Sequence, residues 1–171
     1  MTPHTVTLVQ TSWAQVLPIA PQAATLFYAN LFKLDPTLQP LFKGDRATQG
    51  QRLMQMIGVA VRQLDDVATL LPVLQGLGRR HAGYGVQQGH YATVGAALLQ
   101  TLAQGLGARF STDVEAAWAE VYGVIAGVMI EAAADTPEAP PTLVATATNG
   151  RKSTSVQTAY AADVDGLGTR R

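Results

Sequence analysis

Up to about Ala134 the apolar positions recur at i, i+3, i+4 and i+7, and strictly alternating segments are missing, which predicts an all-α chain. A first helix is predicted from about Thr5 to Val16, with Leu8, Val9, Ser12, Trp13 and Val16 on one stripe and Pro18 stopping it. A second begins at Pro21, a residue suited to a helix's first turn, and carries Ala24, Phe27, Tyr28 and Leu31 until "LDPTLQPLF" breaks it. Within that break, Asp35 is expected to cap a short turn that Pro36 starts and that ends near Phe42. "KGDRAT" reads as a polar loop, after which a long helix presents Gln49, Leu53, Met56, Ile57, Ala60, Val61 and Leu64 on one side.

A short helix is then predicted to end at His81, because "AGYGV" places two glycines just past it. The next runs from about Gln87 to Leu106, with Tyr91, Val94, Gly95, Leu98 and Leu102 inward. Thr112 is the predicted N-cap of the last helix, with Glu115 completing a capping box, and Val114, Ala117, Trp118, Val121, Tyr122, Ile125 and Met129 form its stripe. The total is six or seven helices in one domain over residues 1–134. From Asp135 to Arg171 the chain is rich in Pro, Thr, Ala and Gly with few large apolar residues. Such a segment cannot offset roughly 1–2 kcal/mol of backbone entropy per ordered residue, so residues 135–171 are expected to form a disordered tail.

Composition narrows the function classes. The 171 residues hold 12 Lys plus Arg and 12 Asp plus Glu, so no cationic footprint points to nucleic acid. The absence of cysteine excludes thiolate zinc sites, cysteine-ligated iron–sulfur clusters and cysteine nucleophiles. "MTPHTVTLVQTSW" lacks the basic and apolar regions of a signal peptide, and no run of eighteen apolar residues exists, so a cytoplasmic protein without a membrane partner is expected.

Three polar residues interrupt the inward stripes. His81 follows Leu74, Leu77 and Gly78 at helical spacing, Gln49 opens the stripe of the long helix, and Tyr28 lies on the face of the second. Each alone has an ordinary reading: a core histidine bonded to a carbonyl, a glutamine bonding a helix end, a tyrosine with its hydroxyl at the edge of the core. Three such interruptions able to converge suggest a cavity with something in it. One imidazole cannot hold a bare zinc or iron ion, but it can hold a metal that brings its own ligands, as haem does. Phe42, Leu53, Ile57, Leu77 and Val86 lie on the same faces and could line an apolar plate. His4 precedes the first stripe and His90 should lie off the inward face, which makes His81 the ligand candidate.

"TLFYANLFKLDPTLQPLF", Gln49 to Leu53, "LGRRHAGYGVQQGHYATVG" and "AAWAEVYGVIAGVM" together resemble the bacterial single-domain globins, the group that includes the haem domain of flavohaemoglobins. The resemblance covers Thr5 to about Ala134 in order. It implies a globin fold around haem b (iron protoporphyrin IX), with His81 as proximal ligand, Phe42 stacked on the haem, and Tyr28, Gln49 and Leu53 as the distal pocket. Tyr91 matches the tyrosine near the proximal imidazole, and Arg80 and Arg52 are placed to reach the propionates. One departure stands out: where flavohaemoglobins carry a proximal glutamate, fifteen positions after the tryptophan of "AAW", this chain has Ala133, with Glu131 on another face.

The resemblance implies a haem protein that binds dioxygen reversibly and with high affinity, for storage or delivery, with nitric oxide and carbon monoxide as further ligands. The enzymatic alternative is nitric oxide dioxygenation, in which nitric oxide and dioxygen give nitrate. No G-x-G-x-x-G pattern opens a helix after a strand, and the segment past Ala134 is too short for a reductase domain, so electrons are then expected from a separate reductase. Further alternatives are a haem-based sensor and a globin-fold interaction module without haem.

Overall fold

The computed structural model describes residues 1–42 and 44–135. Six α-helices follow one another: α1 (Pro3–Val16), α2 (Ala20–Leu34), α3 (Arg46–Arg62), α4 (Val67–Gly83), α5 (Gln88–Leu106) and α6 (Thr112–Ala134). Short 3-10 turns at Leu17–Ile19, Pro36–Leu41 and Gly107–Arg109 follow α1, α2 and α5, and no strand occurs among the described residues. The all-α expectation therefore holds. The tail expected over 135–171 lies, beyond Asp135, outside the described residues.

The predicted stripes form the core. Val9, Trp13 and Val16 of α1, Phe27 and Leu31 of α2, Val61 of α3, Leu70, Leu74 and Leu77 of α4, Leu98 and Leu102 of α5, and Trp118 and Val121 of α6 are all buried. α4 packs chiefly on α6, α2 on α5 and α3, and α1 on α6. α6 is long and apolar enough by length and composition to cross a membrane. In this fold Val114, Ala117, Trp118, Val121 and Met129 form its buried face, packed against α1, α4 and α5.

Carboxylates set the starts of several elements. Asp35, Asp45 and Asp66 each accept hydrogen bonds from a threonine hydroxyl and amide, those of Thr37, Thr48 and Thr69. The hydroxyl contact first, and the amide second, hold each carboxyl below its ordinary range. These caps are complete above the ordinary carboxylate pKa and are lost as pH falls through the lowered values.

α2 begins at Ala20, one residue before the expected Pro21, and four boundaries differ in ways that their caps or turns explain. α1 begins at Pro3, because the Thr2 hydroxyl already accepts from the Thr5 amide. α3 begins at Arg46, inside the expected loop, because Asp45 is its cap. α6 is capped by Ser111, whose hydroxyl accepts from the Val114 amide at 3.3 Å; Thr112 is then the first helical residue, and the capping box with Glu115 does not form. The expected short helix is the full-length α4, which passes through Pro72 and continues two residues beyond His81.

The end of α4 has a definite geometry. Gly85 carries the positive φ, +82°, rather than Gly83. The Val86 amide donates to the His81 carbonyl and the Gly85 amide to the Ala82 carbonyl, both at 3.1 Å, which is the Schellman pattern. It folds Val86 back over the turn that bears His81.

α4 also approaches α6 closely at Gly78, where an added Cβ would lie 2.7 Å from Met129 Cα. Gly78→Ala is expected to cost about 1–3 kcal/mol as the helices part, seen as a lower thermal midpoint. Gly127→Ala, with open space at its Cβ, should instead be neutral or stabilising by up to about 1 kcal/mol.

Candidate functional site

α3 crosses α2 where Gly50 meets Ala24, a methyl on Gly50 falling 2.8 Å from Ala24 Cβ and 3.9 Å from the Tyr28 ring. That approach sets Gln49, one residue earlier, beside the face of α2 that bears Tyr28. On the other side α4 and α5 bring His81 and Tyr91 together. Between the two walls lies a cavity of about 500 Å³. Tyr28, Phe42, Gln49, Arg52, Leu53, Ile57, Leu77, Arg80, His81, Val86 and Tyr91 all line it, so the residues that the resemblance assigns to a haem site reach one space.

His81 Nδ1 lies 2.9 Å from the Leu77 carbonyl oxygen, one helical turn back. A carbonyl can only accept, so Nδ1 carries the proton, and in the neutral ring the lone pair is on Nε2. This is the arrangement by which a metal-binding histidine is oriented and its basicity raised. The ring is flanked by two tyrosines, Tyr91 at 6.4 Å and Tyr84 at 6.3 Å between ring centroids. Tyr84 carries no periodic signal in the sequence, where "AGYGV" reads as a glycine-marked turn.

Behind Tyr91, the Tyr122 hydroxyl of α6 donates to the Tyr91 carbonyl at 2.6 Å. Burial pushes the Tyr122 phenol far above its ordinary range, and burial raises Tyr91 too. The Tyr91 hydroxyl is itself buried and has no hydrogen-bond partner among the described residues. Neither Glu131 nor Ala133 lines the cavity, so α6 supplies a tyrosine, and no carboxylate, to this side.

On the opposite side Tyr28, only 4 % exposed, belongs to a cluster of aromatic rings. It stacks on Phe32 at 5.9 Å and meets the edge of Phe42 at 5.5 Å, while Phe32 and Phe42 lie 5.7 Å apart. Gln49 is half-buried at the cavity with its Oε1 shielded from solvent.

His90 also borders the cavity, but its Nδ1 accepts from the Gln87 amide at 3.1 Å and caps α5. His4 is exposed. Among the described residues no group of three His, Cys, Asp or Glu could hold a bare metal ion. An imidazole oriented by a carbonyl in a largely apolar cavity, with a buried tyrosine hydroxyl beside it that has no partner among the described residues, fits a metal that arrives with its own ligands. The residues present therefore suit haem.

The sequence model of the Globin family matches residues 25–129. A flavohemoprotein of Chromobacterium violaceum is 35% identical over 108 residues, 61% of this chain and 26% of the relative. Another, of Bordetella parapertussis, is 32% identical over 107 residues and is covered to 27%. The chain thus spans about a quarter of the length of these flavohemoproteins. A neuroglobin of Danio rerio is 31% identical over 136 residues, 71% of this chain and 86% of the relative. Among solved structures, a bacterial globin from Campylobacter jejuni superposes with a TM-score of 0.68 at 20% identity, covering 78% of this chain and 96% of that one. The chain belongs to the globin family, whose members hold haem and through it bind diatomic gases, and it resembles the haem domain of flavohaemoglobins.

Proposed function

We propose that residues 1–134 form a dioxygen-binding globin that holds haem b through His81 and retains dioxygen with high affinity. The observation that carries this reading is the Nδ1–carbonyl bond of His81, made within the cavity that Tyr28 and Gln49 line from the opposite side. Haem, when bound, supplies four equatorial nitrogens and an open position for a diatomic gas.

The chain's own residues do the rest. The His81 imidazole would hold the iron through Nε2, with the Leu77 carbonyl orienting the ring through Nδ1. Phe42, Leu53, Ile57, Leu77 and Val86 exclude water and hold the apolar plate, while Arg52 and Arg80 border the cavity where its propionates would be neutralised. The Tyr28 hydroxyl and the Gln49 amide donate toward the gas. Donors in a dry pocket would favour a gas that draws partial negative charge over one that draws less, hence dioxygen over carbon monoxide.

Nitric oxide dioxygenation with an external reductase is the second reading, favoured by the likeness to flavohemoproteins. Against it as the principal activity stands the proximal side, where Tyr122 bonds the Tyr91 backbone and no carboxylate of α6 is present to push charge onto the imidazole. Dioxygen dissociation measured by stopped flow, followed by nitric oxide consumption with a reductase present, separates the two. Slow dissociation with little turnover is expected; rapid, sustained nitrate formation would establish the second reading instead.

A further inference from the structure

Arg46 is out of place by helix electrostatics. It is the first residue of α3, where the positive end of the helix dipole disfavours a cation, and Asp45 already caps that end. Its guanidinium carbon lies 4.7 Å from the centroid of the Phe32 ring, on α2. Neither Arg46 nor Phe32 lines the cavity. Phe32, however, is stacked on Tyr28 with 26° between the planes, and it meets Phe42 at 67°.

We propose that Arg46 is a positioning residue for the distal pocket: its guanidinium clamps Phe32 from outside, and Phe32 in turn fixes the rings of Tyr28 and Phe42. The inference rests on the reading of Tyr28 as the distal donor. The clamp ties the first turn of α3, three residues before Gln49, to the half of α2 that bears Tyr28. An arginine suits this role because its planar, weakly hydrated cation stacks on a ring while remaining exposed to water. A donor held in one orientation costs less to align when the gas arrives, so the gas leaves more slowly.

The test is a double-variant cycle on the full chain reconstituted with haem. Arg46→Met keeps the aliphatic stem and removes the cation; Arg46→Lys keeps a cation without the plane. Dioxygen dissociation should quicken about two- to fivefold in Arg46→Met and less in Arg46→Lys. The infrared stretching band of carbon monoxide in the pocket should broaden or shift in Arg46→Met, as the field from Tyr28 becomes less uniform. In a Tyr28→Phe background, Arg46→Met should add nothing to the dissociation rate. A lowered thermal midpoint with unchanged rate and band in Arg46→Met overturns the positioning role while leaving the distal-donor reading intact. An equal effect of Arg46→Met with and without the Tyr28 hydroxyl overturns it as well. An unchanged rate in Tyr28→Phe itself removes the distal-donor reading and this inference together.

Discussion

His81→Ala is expected to abolish specific haem retention, because it removes the one imidazole in the cavity whose tautomer is set for coordination. Loss of a partner that merely orients a ligating histidine costs metal sites about 10–100-fold in affinity, so loss of the ligand itself should cost more than about 100-fold. Some haem could remain through apolar contacts with Phe42, Leu53 and Ile57, but without the spectrum of imidazole ligation. Imidazole added from solution should restore that spectrum, since the space left by the ring opens onto the same cavity. A variant that purifies with haem and an unchanged five-coordinate ferrous spectrum would end the assignment of His81.

Tyr28→Phe is the second large effect. The substitution removes one hydroxyl and keeps the ring, so the packing on Phe32 and Phe42 should survive. A hydrogen bond to a partly charged acceptor is worth about 1.5–3 kcal/mol, which is roughly one to two decades of dioxygen affinity. The loss should fall on the dissociation rate, because the bond exists only once the gas is in place. Carbon monoxide dissociation should change much less. Gln49→Leu tests the second donor, and the double variant shows whether the two serve one oxygen atom or act independently.

The helical stripes were legible because burial on one face imposes a period that needs no partner to be seen, and Leu31, Leu74, Leu102 and Val121 are buried as that period predicts. The polar interruptions were legible for the same reason, since Tyr28, Gln49 and His81 break an otherwise apolar pattern. Boundaries were less so, because adjacent residues compete for each cap. Ser111 prevails over Thr112 by presenting its hydroxyl one residue earlier, and Gly85 rather than Gly83 takes the positive φ that ends α4. Least visible were contacts between helices whose residues carry no periodic signal. Tyr84 lies in a glycine-marked turn, and the pairing of Arg46 with Phe32 depends on how α3 crosses α2. The Tyr122 hydroxyl on the Tyr91 carbonyl is of the same kind, since the stripe placed Tyr122 inward without indicating its acceptor.

The most direct test of the account is titration of the haem-free protein with haem, followed by absorption in the ferric and ferrous states. Saturation at one haem per chain is predicted, with ferrous bands of a single histidine ligand that convert reversibly on exposure to dioxygen, and with both features lost in His81→Ala. Absence of saturable binding, or saturation with the same spectrum in His81→Ala, would contradict it.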